Sequence, residues 1–317
     1  MNAKLAAAIG WLAGAAILAA LSLTLTGYHA DLFRKLLLTA TLAVGYNFQF
    51  GFAGQIAFSH YAFYGIGAYA ITILSTRFGL ALPVAALATI GLSALLALMV
   101  AIPANRLEGF YIALATLAFA QLFVVVMVQG GDFTGGPDGL FGFDAPTIFG
   151  ARLAGANFML VVSALFLANL ALFAALGRSW FGRACRAVRD DPEAAAAMGV
   201  DVARTRIAVF TLTSSLAAVA GMAYAFADNF VNPFVFGIDA MFVLLFMVLI
   251  GGAGRHAGAV VGCVFLFMLP EYLGDLVGRF HLLAYGILMV VVMMFLPNGI
   301  IGLWDRLAKR LRPEPAR

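Results

Sequence analysis

From about residue 5 to residue 303 the chain repeats one arrangement, a long apolar run followed by a short polar or glycine-rich break. Ten such runs can be drawn, over 5–26, 32–50, 56–76, 81–103, 109–128, 157–177, 207–227, 234–251, 257–273 and 281–303. Crossing a bilayer takes about 20 mostly apolar residues per helix. A transmembrane barrel would need apolar and polar positions to alternate. The unbroken stretch MFVLLFMVLI (241–250) excludes that. The pattern predicts an all-α, polytopic membrane protein in which 1–317 form a single transmembrane domain. The first run has two readings. Lys4 supplies the positive flank of a signal peptide, but the apolar part exceeds the usual 7–15 residues or so, which favours a retained anchor.

One break stands apart. Within 178–206, the stretch RDDPEAAAAMGVDVARTR (189–206) is charged, Ala-rich and helix-like. Asp191 is placed to cap a helix by accepting from a free backbone N–H. Pro192 suits the first helical position, and Glu193 complements the positive helix end. Ala194 and Ala195 begin a run of the strongest helix formers, and Gly199 is placed to end it in a left-handed conformation. So short a helix is not stable alone in water. It rests on its own bundle or on lipid headgroups, or it docks in a groove on a partner. Arg183, Arg186 and Arg189 have the same two readings, anionic headgroups or acidic groups of a partner.

Composition agrees with a membrane protein: 64% of the 317 residues are hydrophobic and 11% charged, against about 25% charged in soluble domains. The formal charge of +4 reports orientation before any nucleic-acid partner. If the N-terminus is cytoplasmic, 14 of the 19 Lys and Arg residues fall inside. Only Arg34, Lys35, Arg77, Arg152 and Arg279 fall outside. Inverting the chain reverses the bias, so both termini are expected in the cytoplasm, with 178–206 on the same side. The tail 305–317 is then a basic anchor, and 129–156 is an outer loop carrying Asp132, Asp138 and Asp144. Cys185 and Cys263 are isolated, as are the four histidines, so neither a disulfide framework nor a metal site is indicated. No clustered Ser/His/Asp set or HExxH motif suggests an enzyme. The only lysines, Lys4, Lys35 and Lys309, do not follow glycine, so no Walker-type phosphate loop can form.

Several stretches occur in an order and spacing that resemble one family. They are GFAGQIAFSHYAFYGIGAYA (51–70), EGFYIALATLAFAQ (108–121), FTGGPDGL (133–140), GRACRAVRDDPEAAAAMGV (182–200), VLIGGAGRHAGAVVG (248–262) and YGILMVVVMMFLPNGIIGLW (285–304). The resemblance, which extends over nearly the whole chain from about 36 to 304, is to the branched-chain amino-acid ABC permeases, the M-type of the LivHM pair above all. Glu193-Ala194-Ala195, three residues, then Gly199 also resembles the EAA-x3-G cytoplasmic signature of ABC importer permeases. The extended signature ends in an Ile-x-Leu-Pro-like stretch, from which Val209-Phe210-Thr211-Leu212 departs.

The resemblance implies a bacterial inner-membrane importer with a second, H-type permease, two ATPase subunits and a periplasmic binding protein. ATP and Mg would sit on the ATPases and no cofactor on this chain. The 178–206 loop would be the coupling element, with Asp191, Pro192, Glu193, Ala194, Ala195 and Gly199 at the ATPase and Arg183, Arg186 and Arg189 beside it. Leu, Ile and Val are the implied substrates; relatives of similar sequence carry urea, short amides or aromatic acids. An ion-coupled secondary transporter is the alternative from another class.

Candidates for the substrate path are polar residues in or beside apolar runs, where polar groups are expensive and often functional. Asn47, Gln55, Ser59, His60 and Gln121 qualify, with interhelical hydrogen bonding as the competing reading. Gly51, Gly54, Gly65 and Gly67 fit close packing or a broken helix. Thr134, Gly135 and Gly136 open the outer loop, either as an anion-binding nest or as a simple turn. Asp132, Asp138, Asp228 and Asp239 would face a binding protein or solvent.

Overall fold

A computed structural model describes residues 3–107, 109–141, 147–148, 151–152, 155–277, 283, 286–287, 290, 294 and 299–302. More than half of the tenth apolar run, 281–303, lies outside the described residues. Glu108, Asp144, Arg279, His281 and the tail 305–317 also lie outside them.

The described chain is mainly helical: α1 (Ala3–Thr24), α2 (Gly27–Asn47), α3 (His60–Thr76), α4 (Leu82–Ala104), α5 (Phe110–Gln129), α6 (Gly155–Arg178), α7 (Trp180–Asp190), α8 (Pro192–Ala197), α9 (Val202–Asp228), α10 (Ile238–Gly251) and α11 (His256–Val277). Helices α1–α6 and α9–α11 fall on the first nine apolar runs. Four of them, α4, α5, α6 and α9, are long and apolar enough to cross a membrane by length and composition. The mainly helical chain agrees with the all-α expectation and adds only two short extended pairs among the described residues. Two-residue strands β1 (Leu140–Phe141) and β4 (Phe230–Val231) pair antiparallel, as do β2 (Thr147–Ile148) and β3 (Ala151–Arg152).

Small residues decide how the helices pack. On α4 the buried positions Ala85, Thr89, Ser93, Ala97 and Ala101 recur every four residues, one side of a helix. That stripe lies against α9, close enough for Ser93 Oγ to donate to the Ser214 carbonyl at 3.5 Å. At the α3–α9 crossing, a Cβ on Gly67 would lie 2.0 Å from the Ala218 carbonyl oxygen. One on Gly221 would lie 1.9 Å from that of Tyr64. The glycines permit backbone-to-backbone approach, as expected where lipid removes the usual hydrophobic drive between helices. The centre belongs to α2 and α3, which are buried almost continuously over 36–47 and 62–73. By contrast α5 buries only Ala113, Thr116, Ala120 and Phe123 and leaves a broad apolar flank.

Contacts between loops sort the helix ends into two sets. The ends near 47–59, 104–110, 178–202 and 251–256 meet at what is called here the α8 end. Those near 77, 129–141 and 228–237 meet at the far end.

Candidate functional site

At the α8 end, 178–206 folds into two short helices before α9. The Ser179 hydroxyl caps α7 by accepting from the Gly182 N–H, and Gly182, Ala184, Cys185 and Val188 are buried in it. Sequence reasoning took this stretch as loop because its apolar face is brief and its opposite face holds Trp180, Arg183 and Asp190. Asp191 Oδ1 then accepts from the N–H groups of Glu193 and Ala194, both at 3.0 Å, and caps α8. Gly199 has φ +84 and closes the turn, with Val200 N–H reaching back to the Ala195 carbonyl. Only Ala195 of α8 is buried; Pro192, Glu193, Ala194 and Gly199 are exposed, and Met198 is 85% exposed. Met198 carries no motif and went unnoticed in the sequence, yet it is the largest apolar group beside α8.

Each of the three arginines donates to a backbone carbonyl of this chain. Arg183 donates to the Arg178 carbonyl. Arg186 donates to the Gly177 carbonyl at 2.9 Å and stacks over the Phe52 ring. Arg189 reaches furthest: its Nη1 donates to the Gly51 carbonyl at 2.6 Å, while Nε and Nη2 hold Asp190 Oδ1 at 2.9 and 2.7 Å.

Gly51 belongs to a break between α2 and α3. The chain leaves α2 through a π-helical turn, Phe48–Phe52, and crosses 53–59 without regular structure before α3 begins. Four path candidates cluster there. Asn47 is fully buried; its Oδ1 accepts from the Gly254 N–H at 2.8 Å, and its Nδ2 has no protein partner. Ser59 and His60 are buried at the start of α3, with the His60 ring 5.6 Å from that of Tyr46. Gln55 borders a cavity of about 20 Å³ with Asn105, Arg206 and Phe210. Gln49 was missed, although it lies in the same run; its Oε1 accepts from Thr213 Oγ1 of α9 at 3.2 Å.

The remaining candidates lie elsewhere. Gln121 is exposed on the apolar flank of α5, between Leu114 and Val125. Thr134 is buried at the far end, where its hydroxyl donates to the Met127 carbonyl at 2.6 Å and accepts from the Gly136 N–H. Gly135 accepts from the Gly139 N–H at 3.1 Å, so these groups serve the loop's own turn. Next to it Phe236 is fully buried among Tyr64, Tyr69, Phe123 and Tyr224, with centroids 5.7–6.3 Å away. Of the acids expected to face a binding protein or solvent, Asp228 pairs with Lys35 at 3.2 Å.

Close-packed apolar helices with broad apolar flanks define a multi-pass membrane protein, with one exposed capped helix on a loop. The family described as branched-chain amino acid transport system permease components matches residues 28–296, and the chain belongs to that family. It is a permease of the branched-chain amino-acid ABC type and LivM-like in sequence.

It is 29% identical over 293 residues to the high-affinity branched-chain amino acid transport permease LivM of Escherichia coli, covering 82% of this chain and 67% of that one. To LivH of Salmonella typhimurium it is 26% identical over 292 residues, 83% and 91% of the two chains. To the autoinducer 2 import permease LsrC of Klebsiella pneumoniae it is 34% identical over 193 residues, 56% and 54% of the two. No solved structure matches it.

Proposed function

We propose that this chain is one of two permeases in an ATP-driven importer of branched-chain amino acids, set in the bacterial inner membrane with about ten spans and both termini in the cytoplasm. The α8 end then faces the cytoplasm and the far end the periplasm. Two ATPase subunits carry ATP and Mg, this chain binds no cofactor, and a periplasmic binding protein delivers substrate at the far end. The second permease is of the H type; that LivM and LivH both match this chain supports a pair of related subunits.

The observation that carries this reading is α8. It is capped and shaped, yet it buries one residue and offers Glu193, Ala194 and Met198 outward. A two-turn helix held so lightly suits a cleft on a partner. Glu193 is its acidic contact and Ala194 permits close approach. Gln121 supports the second-permease contact: an amide on an apolar flank is costly in lipid and suits a protein neighbour or the solute path.

The likeness to LsrC favours a second reading, in which the solute is another small polar molecule. An ion-coupled transporter is less well supported: Asp31, Asp228 and Asp239 stand near helix ends, and Glu271, inside α11, is exposed and accepts from the Tyr28 hydroxyl.

Glu193→Arg tests the coupling role. The variant should insert and assemble normally while ATP-dependent uptake falls about tenfold or more, the scale of reversing one charge in a buried contact. Unchanged uptake overturns the assignment.

A further inference from the structure

We infer that Arg189 is a positioning residue for transport, a tie that carries movement of α8 into the broken α2–α3 segment and the α10–α11 turn. The inference rests on the coupling reading and assigns Arg189 an inward role in place of a contact with the ATPase.

Two segments far from it in sequence, 51–54 and the α10–α11 turn, converge on this side chain. Its Nη1 donates to the Gly51 carbonyl, and Gly51 packs against the α10–α11 turn so closely that a Cβ there would lie 2.2 Å from the Gly254 nitrogen. The Gly254 N–H in turn donates to Asn47 Oδ1, which joins the same turn to the end of α2. Gly54, at φ +69, lies under the arginine stem: a Cβ there would lie 2.6 Å from Arg189 Cγ and 3.2 Å from its Cβ. A left-handed backbone and the missing side chain together make a seat for one residue.

Asp190 holds the other two guanidinium nitrogens, so the fork is aimed before it meets Gly51. Only Asp190 and Asp191 separate Arg189 from Pro192, the first residue of α8. Displacing α8 therefore pulls directly on Gly51. That group sits two residues from Gln49, whose side chain meets Thr213 on α9, and four from the buried Asn47. An exposed ion pair would contribute little. Here a charged donor meets a backbone carbonyl in a packed joint, where such bonds are stronger. Lysine, a point charge without the planar fork, cannot make all three bonds in this geometry.

The test is substrate moved per ATP hydrolysed by the complete transporter in proteoliposomes. Arg189→Lys should assemble to the wild-type level and keep hydrolysing ATP. Its uptake should fall about tenfold, the loss expected when charge-assisted hydrogen bonds are broken. Gly54→Ala, which unseats the same stem, should lower the same ratio. Asp190→Asn, which leaves the guanidinium but weakens its aim, should lower it less and serves where the other two fail to assemble. A ratio unchanged in the assembled variants overturns the inference. So does a proportional fall of uptake and hydrolysis together, which would place Arg189 on the ATPase. Glu193→Arg run in parallel separates the two ideas. If it blocks uptake while Arg189→Lys does not, the tie fails and the coupling reading stands; if it transports normally, the coupling reading itself fails.

Discussion

At the scale of single residues, exposure and chemistry divide the α7–α8 loop into a face turned to the bundle and a face turned away. Cys185 is on the first; burial pushes its thiol up to about 12, against a weaker opposite pull from Arg186. Only the thiolate reacts with a maleimide, so near neutral pH, far below that value, Cys185 should stay unlabelled in the folded chain. Met198 is on the second face, and Met198→Cys should label readily in the permease pair alone. Once the ATPases are bound, labelling should slow about tenfold or more, as for a group moved into a water-excluding interface. Mass spectrometry of the labelled peptides reads both sites. Equal labelling of position 198 with and without the ATPases would remove α8 from the interface. Rapid labelling of Cys185 would contradict the packing of α7.

At the scale of elements, the seams of small residues are where stability is most easily lost. Ala97 is fully buried in the α4 stripe and Gly67 faces the α9 backbone. Ala97→Leu or Gly67→Ala forces the helices apart and should cost about 1–3 kcal/mol, the usual range for overpacking. Leu95, 57% exposed on α4, should accept Ala at a cost within about 0.5 kcal/mol. Thermal unfolding in detergent compares them, and equal melting points for Ala97→Leu and Leu95→Ala would contradict the seam. The helices on the first nine apolar runs were legible because each run must satisfy its own backbone inside lipid, which ties hydropathy directly to helix. The Asp191 cap and the Gly199 terminus were legible for a local reason, side-chain chemistry at fixed offsets along the chain. What the sequence hid depends on distance: Arg189 meets Gly51 across 138 positions and Gly254 meets Asn47 across 207. Helix α7 was hidden differently, because four buried residues in eleven do not make an apolar run. Gln49 was within reach, since the argument that selected Asn47 applies equally to it.

At the scale of the whole molecule, the two ends differ in kind. The α8 end gathers the exposed helix, the arginine tie and the buried amides of Asn47 and Gln49. The far end is closed by aromatic packing around Phe236 and by the β1–β4 pair. On the proposed reading α8 is where a motor would push, since the sequence holds no phosphate loop of its own. The most direct measurement is uptake of radiolabelled leucine by proteoliposomes holding either this chain alone or the assembled transporter, with its binding protein supplied. Accumulation against a gradient should need every subunit and ATP enclosed in the lumen on the ATPase side, and the chain alone should accumulate nothing. Concentrative uptake by the lone polypeptide, driven by an ion gradient, would contradict the account.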